Sequence, residues 1–348
     1  MKNILLPESG NGIRYYRANL HCHSTISDGR KTPEELKRDY MAHGYSIIAF
    51  TDHEAFIRHN DLTDEDFLAL NGYELDADEH GRSDGEDGRT CHICFVALSP
   101  DTEIDPCYHR TDYFWGNCAN YRDRVVYDKN APDYVRLYSA EGINDMIKRG
   151  VEGGFFVTYN HPAWSLESFP EYSRYRGMHA MEIANYSSFC AGWEEDNGRC
   201  YDDFLNQGKR IFCIATDDNH NRNPDPNPMC DSYGGYINIA ASKLSYEAVA
   251  EALRSGYFYA SLGSNYDTAP EILSLEYEDG KVRIKTSPAK SIQMIQNIRR
   301  CHKVNAEQNG CVTEAEFEVH KRAKWFRLVV TDDKGHKSYT NAYFTDEI

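Results

Sequence analysis

Short apolar segments alternate with segments of helical period over the first 260 residues. The apolar segments predict strands over 16–21, 46–50, 68–75, 90–98, 154–159, 178–184 and 210–215. Helices are predicted over 32–43, 139–149 and 245–255, because each begins at a serine or threonine suited to cap a helix. Repeated strand–helix units with polar residues at the strand ends are typical of barrel-like α/β domains, in which those ends form the site.

The pattern changes after residue 268, where short segments with a period of two are separated by turn signals such as Asp279-Gly280 and Lys334-Gly335. These segments predict strands over 272–277, 282–286, 291–295, 315–319, 326–331 and 339–344. We therefore expect two domains, 1–268 and 269–348, the second a small all-β, sandwich-like module. Because the module has no paired histidines or carboxylates, we assign it to packing or homo-oligomerisation and expect no metal ligand there.

Residues 101–135 are rich in aromatic and charged side chains and lack a clear period. This pattern predicts an insertion in the first domain. Long unpatterned loops in compact domains are often functional, so a lid over the site is one interpretation, and a simple surface excursion is the other.

The net charge of −17 limits the kinds of molecule that the protein is expected to bind. A stable complex with nucleic acid needs a positive surface, so we expect none. A cluster of metal ions would reverse the field locally, which leaves a small phosphorylated substrate as an expected partner. Residues 1–12 lack a basic start followed by a long apolar stretch, and no apolar run has the length of a membrane helix. Eleven cysteines without the spacing of a disulfide scaffold indicate a cytoplasmic protein.

Histidines and carboxylates follow the predicted strands in a regular order. In extended backbone, residues i and i+2 point to the same side, so His21 can bind an ion together with His23, and Asp218 together with His220. Between these pairs the chain carries further candidate ligands: Asp28, His53, Glu74, His92 and His161. Imidazole nitrogens and carboxylate oxygens are ligands for Zn²⁺, Mn²⁺ and Fe²⁺. The series predicts a polynuclear metal site.

The order of these motifs resembles the polymerase-and-histidinol-phosphatase (PHP) superfamily. The resemblance rests on His21-Cys22-His23-Ser24, Ser27-Asp28-Gly29, Thr51-Asp52-His53, Glu74, His92, Asn160-His161-Pro162 and Asp218-Asn219-His220. Residues 253–263 and the later β module are similar to stand-alone bacterial members, some of them described as CehA/McbA-like metallohydrolases. The resemblance covers most of residues 15–265, and it implies a distorted (β/α)₇ barrel followed by the β module.

The resemblance also implies ligand sets for two or three divalent ions, namely Mn, Zn or Fe. The first ion would be held by His21, His23, Glu74 and Asp218, the second by Glu74, His92 and His161, and the third by Asp28, His53 and His220. Some members have a histidine where this chain has Asp28, so occupancy of the third site is left open. Asp52 is expected to orient ligands without binding an ion itself.

From these sets we expect a metal-dependent hydrolase whose catalytic residues are Glu74, Asp218, His220 and Asp52. A metal-bridging hydroxide would attack a phosphate ester of a small metabolite or nucleotide, while the ions neutralise charge on the phosphoryl group. One alternative keeps the ions and changes the bond to a carboxyl ester, carbamate or amide. Another, from a different class, is a metal-binding module without catalysis.

Overall fold

The computed structural model describes residues 2–10, 12–81, 88–308 and 310–348. The strands up to residue 262 are β1 (Lys2–Leu6), β2 (Arg14–Asn19), β3 (Ile47–Phe50), β4 (Leu68–Asp78), β5 (Thr90–Ala97), β6 (Phe155–Tyr159), β7 (Ala180–Asn185), β8 (Phe212–Thr216), β9 (Gly235–Ala241) and β10 (Phe258–Leu262). Within the described ranges, the α-helices are α1 (Pro33–Ala42), α2 (Ala140–Glu152), α3 (Phe169–Tyr172), α4 (Tyr186–Cys190), α5 (Gly198–Asn206) and α6 (Tyr246–Ser255), and 3₁₀ helices cover Asn60–Leu62 and Gly116–Arg124. The predicted mixed α/β class is confirmed.

The helix boundaries follow the capping signals of the sequence. Thr32 and Glu35 form a reciprocal capping box at the start of α1, and Pro33 takes the first helical position. Helix α6 begins after Ser245, whose side chain accepts from a backbone N–H of the first turn, and it ends at Gly256 in a left-handed conformation. All seven predicted strands and three predicted helices of this region are present, whereas β1, β9, β10 and α3 to α5 were not predicted.

A large mixed sheet brings the strands with polar ends side by side. Strands β2, β3 and β4 are parallel, β5 is antiparallel to both β4 and β6, and β6, β7 and β8 are again parallel. Just beyond β2 and β8, Cys22 and Asn219 form a parallel bridge, and Asp218 donates its backbone N–H to the carbonyl of His21 at 2.9 Å. The segments that follow β2 and β8, which carry the histidine and aspartate motifs, are therefore in direct backbone contact.

The strands after residue 268 are β11 (Ile272–Glu278), β12 (Lys281–Ala289), β13 (Ser291–Gln296), β14 (His302–Asn305), β15 (Val312–Glu318), β16 (Trp325–Thr331), β17 (Lys337–Thr340) and β18 (Tyr343–Phe344). Strands β1, β11, β12 and β15 form a separate antiparallel sheet, while β14, β13, β16 and β17 extend the large sheet through the pairing of β17 with β10. The prediction missed β14 and merged β17 with β18.

An apolar core fills the space between this four-stranded sheet and the extension of the large sheet, and it includes Leu6, Leu275, Ile284, Met294 and Leu328. In this four-stranded sheet, β1 pairs with β11, although the two strands are more than 260 residues apart in sequence. The proposed domain division at residue 268 stays a prediction. In the described part of the chain, no helix has the length and apolarity needed to cross a membrane.

Two leucines of β11 offer a matched test of this second core. Leu275 is fully buried in it, whereas Leu273 is 38% exposed. We expect Leu275→Ala to lower the free energy of unfolding by about 2–5 kcal/mol, because it leaves a cavity, and Leu273→Ala to change it by no more than about 0.5 kcal/mol. Urea unfolding of both variants measures the difference. Equal effects would show that the core does not pack as described.

Candidate metal centre

Nine side chains, carried on or after six of the strands, meet in one largely buried cluster. They are the nine predicted ligands: His21, His23, Asp28, His53, Glu74, His92, His161, Asp218 and His220. Asp28 and His220 are the most exposed of them, with side chains 18% and 17% accessible. The structure therefore brings all nine predicted residues together, while their role as ligands stays a prediction.

Glu74, on β4, lies at the middle of the cluster. Its Oε1 is contacted by His21 Nε2 at 3.2 Å, His92 Nδ1 at 3.1 Å and His161 Nε2 at 3.4 Å. Its Oε2 is contacted by His23 Nε2 at 3.4 Å and His53 Nδ1 at 3.2 Å. Both carboxylate oxygens thus face imidazoles, as expected for a carboxylate that bridges two cations.

Asp218 and Asp28 face the cluster from two other sides. Asp218 Oδ1 lies 3.2 Å from His21 Nε2 and 3.0 Å from His23 Nε2. Asp28 Oδ2 lies 3.2 Å from His220 Nε2, and its Oδ1 lies 3.8 Å from His53 Nε2 and 3.9 Å from His23 Nδ1. His23 therefore lies between the two aspartates.

Three groups of side chains have donor atoms close enough together to hold an ion. They are His21, His23, Glu74 and Asp218; His53, Glu74 and His92; and His23, Asp28, His53 and His220. The first group is the set that the family resemblance implies. The second contains His53 where the resemblance implies His161, whose Nε2 nevertheless lies 3.4 Å from Glu74. The third adds His23 to the implied set.

The backbone beneath two of these side chains adopts an uncommon conformation. His161 and Asp218 have φ angles of 25° and 51°, in the left-handed region that residues other than glycine rarely occupy. Such conformations persist when their surroundings hold them in place, and they concentrate at functional sites. Here His161 donates its N–H to the carboxylate of Glu182 at 2.8 Å, and Asp218 donates its N–H to His21.

Asp52 lies apart from the imidazoles. Its carboxylate accepts from the backbone N–H of Ser24 at 2.7 Å and of Ser27 at 3.1 Å, and from both serine hydroxyls at 2.7 Å. Among the described residues, it makes no hydrogen bond to a histidine. Asp52 instead fixes the loop that joins His23 to Asp28, so its influence on the cluster is indirect.

Glu182, on β7, is a buried carboxylate that the sequence reading missed. It accepts from His21 Nδ1 at 2.8 Å and from Asn185 at 2.9 Å, besides the His161 backbone. It therefore orients one candidate ligand through its ring and another through its main chain. The available signal was its position, because it is the one acidic residue within the apolar segment 178–184.

The hydrogen bond between His21 and Glu182 indicates whether the cluster is suited to bind a metal ion. If His21 Nδ1 donates to Glu182, then in the neutral ring Nε2 carries a lone pair. This nitrogen faces His23 Nε2 at 3.1 Å, as well as the oxygens of Glu74 and Asp218. Acceptors this close together require a proton or a metal ion between them. The residues therefore fit divalent ions of the type that bind imidazole and carboxylate.

The pKa values of the clustered side chains show the same need for a positive charge between the donor atoms. Although burial opposes it, hydrogen bonds with Asp218 and Glu74 raise the pKa of His23 to about 10. Burial together with the charge of His23 lowers the pKa of His53 to about 3. The surrounding imidazoles lower the pKa of Glu74 despite its burial. Metal ions binding here would displace protons from the ring nitrogens.

The segment that follows β5 borders this centre. Tyr108 and Cys118 of the predicted insertion pack in one apolar cluster with Ile26 and Ala55, which lie close in sequence to Asp28 and His53. Beyond the insertion, the buried guanidinium of Arg136 pairs with Glu54, the residue that follows His53. The insertion is therefore packed against the loops that carry candidate ligands. Its function as a lid stays a prediction.

Comparisons with known proteins gave structural matches only, since no family model and no curated protein matches the chain. A two-domain Bacteroides vulgatus protein containing a predicted PHP-like metal-dependent phosphoesterase is similar, with 15% identity, a TM-score of 0.45, and 97% of this chain and 98% of that chain covered. A Bifidobacterium adolescentis protein described as a metal-dependent phosphoesterase has 14% identity and a TM-score of 0.37, covering 60% and 89%. An amidohydrolase from Chromobacterium violaceum, with bound sulfate and no metal, has 16% identity and a TM-score of 0.37, covering 61% and 93%. One of these three structures is thus described as containing a predicted PHP-like phosphoesterase, and the other two carry different descriptions.

Replacing Glu182 tests the arrangement without touching a candidate ligand. We expect Glu182→Gln to weaken metal binding roughly 10- to 100-fold, because the His21 ring loses its charged partner. Competition with a chromophoric chelator measures the affinity, with Glu247→Gln on the exposed face of α6 as the control. Unchanged affinity in a folded Glu182→Gln protein would contradict the role assigned to Glu182.

Proposed function

We propose that this chain is a metal-dependent hydrolase of the PHP superfamily that cleaves phosphate esters of small metabolites or nucleotides. The observation that carries the proposal is the contact of both Glu74 oxygens with five imidazoles, next to the facing ring nitrogens of His21 and His23. In fold terms we propose a distorted (β/α)₇ barrel built from β2 to β8, supported by the bridge between Cys22 and Asn219.

The three groups of donor atoms would hold two or three divalent ions: His21, His23, Glu74 and Asp218; His53, Glu74 and His92; and His23, Asp28, His53 and His220. We propose that His161, beside Glu74, joins the second group as a further ligand. Divalent ions bound there would make water nucleophilic at neutral pH and would neutralise negative charge on the reacting group.

The chain's own residues would set the geometry of the reaction. Glu182 holds the His21 ring, and Asp52 holds the serine loop between His23 and Asp28. His220 is held from its other ring nitrogen, since Nδ1 lies 3.0 Å from the carbonyl oxygen of Asp218, and its Nε2 faces Asp28 near solvent. We therefore assign Asp28 and His220 to the side on which substrate arrives.

Two features support a phosphate ester over other substrates. A phosphoryl group presents several oxygens, so it can use more cations than a carboxyl ester can, and three donor groups are present here. The Arg222 guanidinium also lies 3.1 Å from Asp28 Oδ2 at the exposed side of the cluster, where it can approach an anionic substrate.

A second candidate is the hydrolysis of a carboxyl ester, carbamate or amide by the same centre. The observation that favours it is the pair of exposed tryptophans, Trp115 and Trp164, beside the cluster, because they provide apolar surface and no positive charge. A module that binds metal without catalysis is the weakest candidate, since every predicted ligand is present in the cluster.

A substrate panel separates these candidates. We expect protein loaded with Mn²⁺ or Zn²⁺ to release inorganic phosphate from at least one compound among nucleoside monophosphates, nucleoside bisphosphates and sugar phosphates. Glu74→Ala should abolish this release, because it removes the carboxylate shared by two donor groups. Asp28→Ala should retain part of it, since Asp28 serves one group. Turnover of aryl esters or carbamates without phosphate release from any phosphorylated compound would overturn the phosphoesterase proposal.

A further inference from the structure

Two tryptophans contact candidate metal ligands and remain open to solvent. The Trp115 indole is 36% exposed, with its ring centroid 5.4 Å from that of His53. The Trp164 indole is 41% exposed, with its centroid 5.3 Å from His92 and 5.0 Å from His161. The rings of His53 and His92 are themselves 5.9 Å apart, so the two indoles contact neighbouring candidate ligands.

The position of Trp115 is fixed from within the insertion. Trp115 precedes the 3₁₀ helix Gly116–Arg124, and Cys118 Sγ lies 3.2 Å from its backbone nitrogen and 2.7 Å from its carbonyl oxygen. Cys118 is itself buried in the apolar cluster that contains Ile26 and Ala55. Trp115 is therefore attached to an apolar cluster that also contains residues from the loops that carry candidate ligands.

Trp164 is held in place by a different set of hydrogen bonds. Its backbone N–H donates to the buried carboxylate of Glu195 at 2.6 Å. The next residue, Ser165, places its hydroxyl 3.1 Å from His161 Nδ1. Trp164 and the candidate ligand His161 therefore belong to one fixed turn after β6.

Indoles in this position offer a substrate large, flat and polarizable surfaces. Aromatic rings prefer to pack on such surfaces through offset or edge contacts, and that preference exceeds the gain from apolar area alone. A saturated aliphatic group of similar size lacks this additional attraction.

We propose that Trp115 and Trp164 form an aromatic subsite that binds a planar ring in the organic part of the substrate, while the metal centre binds the group that is cleaved. This inference rests on the proposed function for the role of the centre, and it names the substrate class as esters that carry an aryl or heteroaryl ring. A ring next to the cleaved bond and a nucleobase linked through a ribose share this chemistry.

The test compares planar and non-planar ligands of equal charge on the full-length, metal-loaded protein. Calorimetry measures binding of phenylphosphonate against cyclohexylphosphonate, neither of which is hydrolysed as an ester. We expect the wild type to prefer phenylphosphonate, and Trp115→Ala or Trp164→Ala to lower this preference roughly 3- to 10-fold. The Trp→Phe variants should keep most of the preference, which a merely structural role would not explain.

Trp193→Ala is the matched control. Trp193 is also exposed, at 39%, and among the described residues its ring contacts no histidine of the cluster. We expect its ligand preference to equal that of the wild type. A second pair, adenosine 5′-monophosphate against ribose 5-phosphate compared by kcat/KM, detects a ring at a distance from the cleaved bond. A third pair, benzyl acetate against cyclohexylmethyl acetate, measures the same preference under the alternative chemistry, because the two leaving alcohols are of similar acidity.

The outcomes keep the two proposals apart. A ring preference that both Trp→Ala variants reduce in any of the three pairs supports the subsite, whether or not phosphate esters are hydrolysed. Absence of a ring preference in all three pairs, or a preference that survives both Trp→Ala substitutions, overturns the subsite even if phosphate is released. Failure to release phosphate, with the ring preference intact, would count against the phosphoesterase proposal alone.

Discussion

The carboxylate of Glu74, surrounded by five imidazoles in the buried interior, is the interaction around which the site is arranged. Burial of so many polar groups is unfavourable unless cations and hydrogen bonds satisfy them. Protons can meet part of this demand, as the raised pKa of His23 shows. Divalent ions meet it more fully, because one ion accepts lone pairs from several ligands at once. The proposed binding of divalent ions follows from this single requirement.

The rest of the site serves to hold these donors in place. Glu182 orients His21 and the backbone of His161, while Asp52 fixes the loop between His23 and Asp28. The left-handed conformation of Asp218 is stabilised by the backbone contact between the ends of β2 and β8. A rigid, pre-formed set of ligands favours metal binding, since little order has to be gained when the ions bind.

Local chemistry explains why much of this could be predicted from the sequence. Capping residues mark the helices, and the spacing of His21 and His23 on extended backbone makes them neighbours in any fold. The nine candidate ligands were found because their motifs stand at strand ends in the order of a known superfamily. Sharing of His23 between two donor groups was not foreseen, because it depends on the angle at which the strands converge.

The missed features depend on contacts between distant parts of the chain. Strand β1 pairs with β11 across most of the sequence, and Glu182 looked like one polar residue in a core strand. The placement of Trp115 beside His53 follows from packing of an insertion that has no regular period. Such contacts are decided by tertiary structure, which a single sequence read in short windows does not contain.

Anomalous X-ray diffraction from crystals of protein purified without chelators would show whether Glu74 holds metal ions. We expect at least two metal peaks, with Glu74 oxygens bound to two of them at about 2.0–2.2 Å, as is usual for a carboxylate on a transition-metal ion. We also expect His21 and His23 on one of these ions. No metal peak in crystals grown with Mn²⁺ or Zn²⁺, or peaks that Glu74 does not contact, would contradict this expectation.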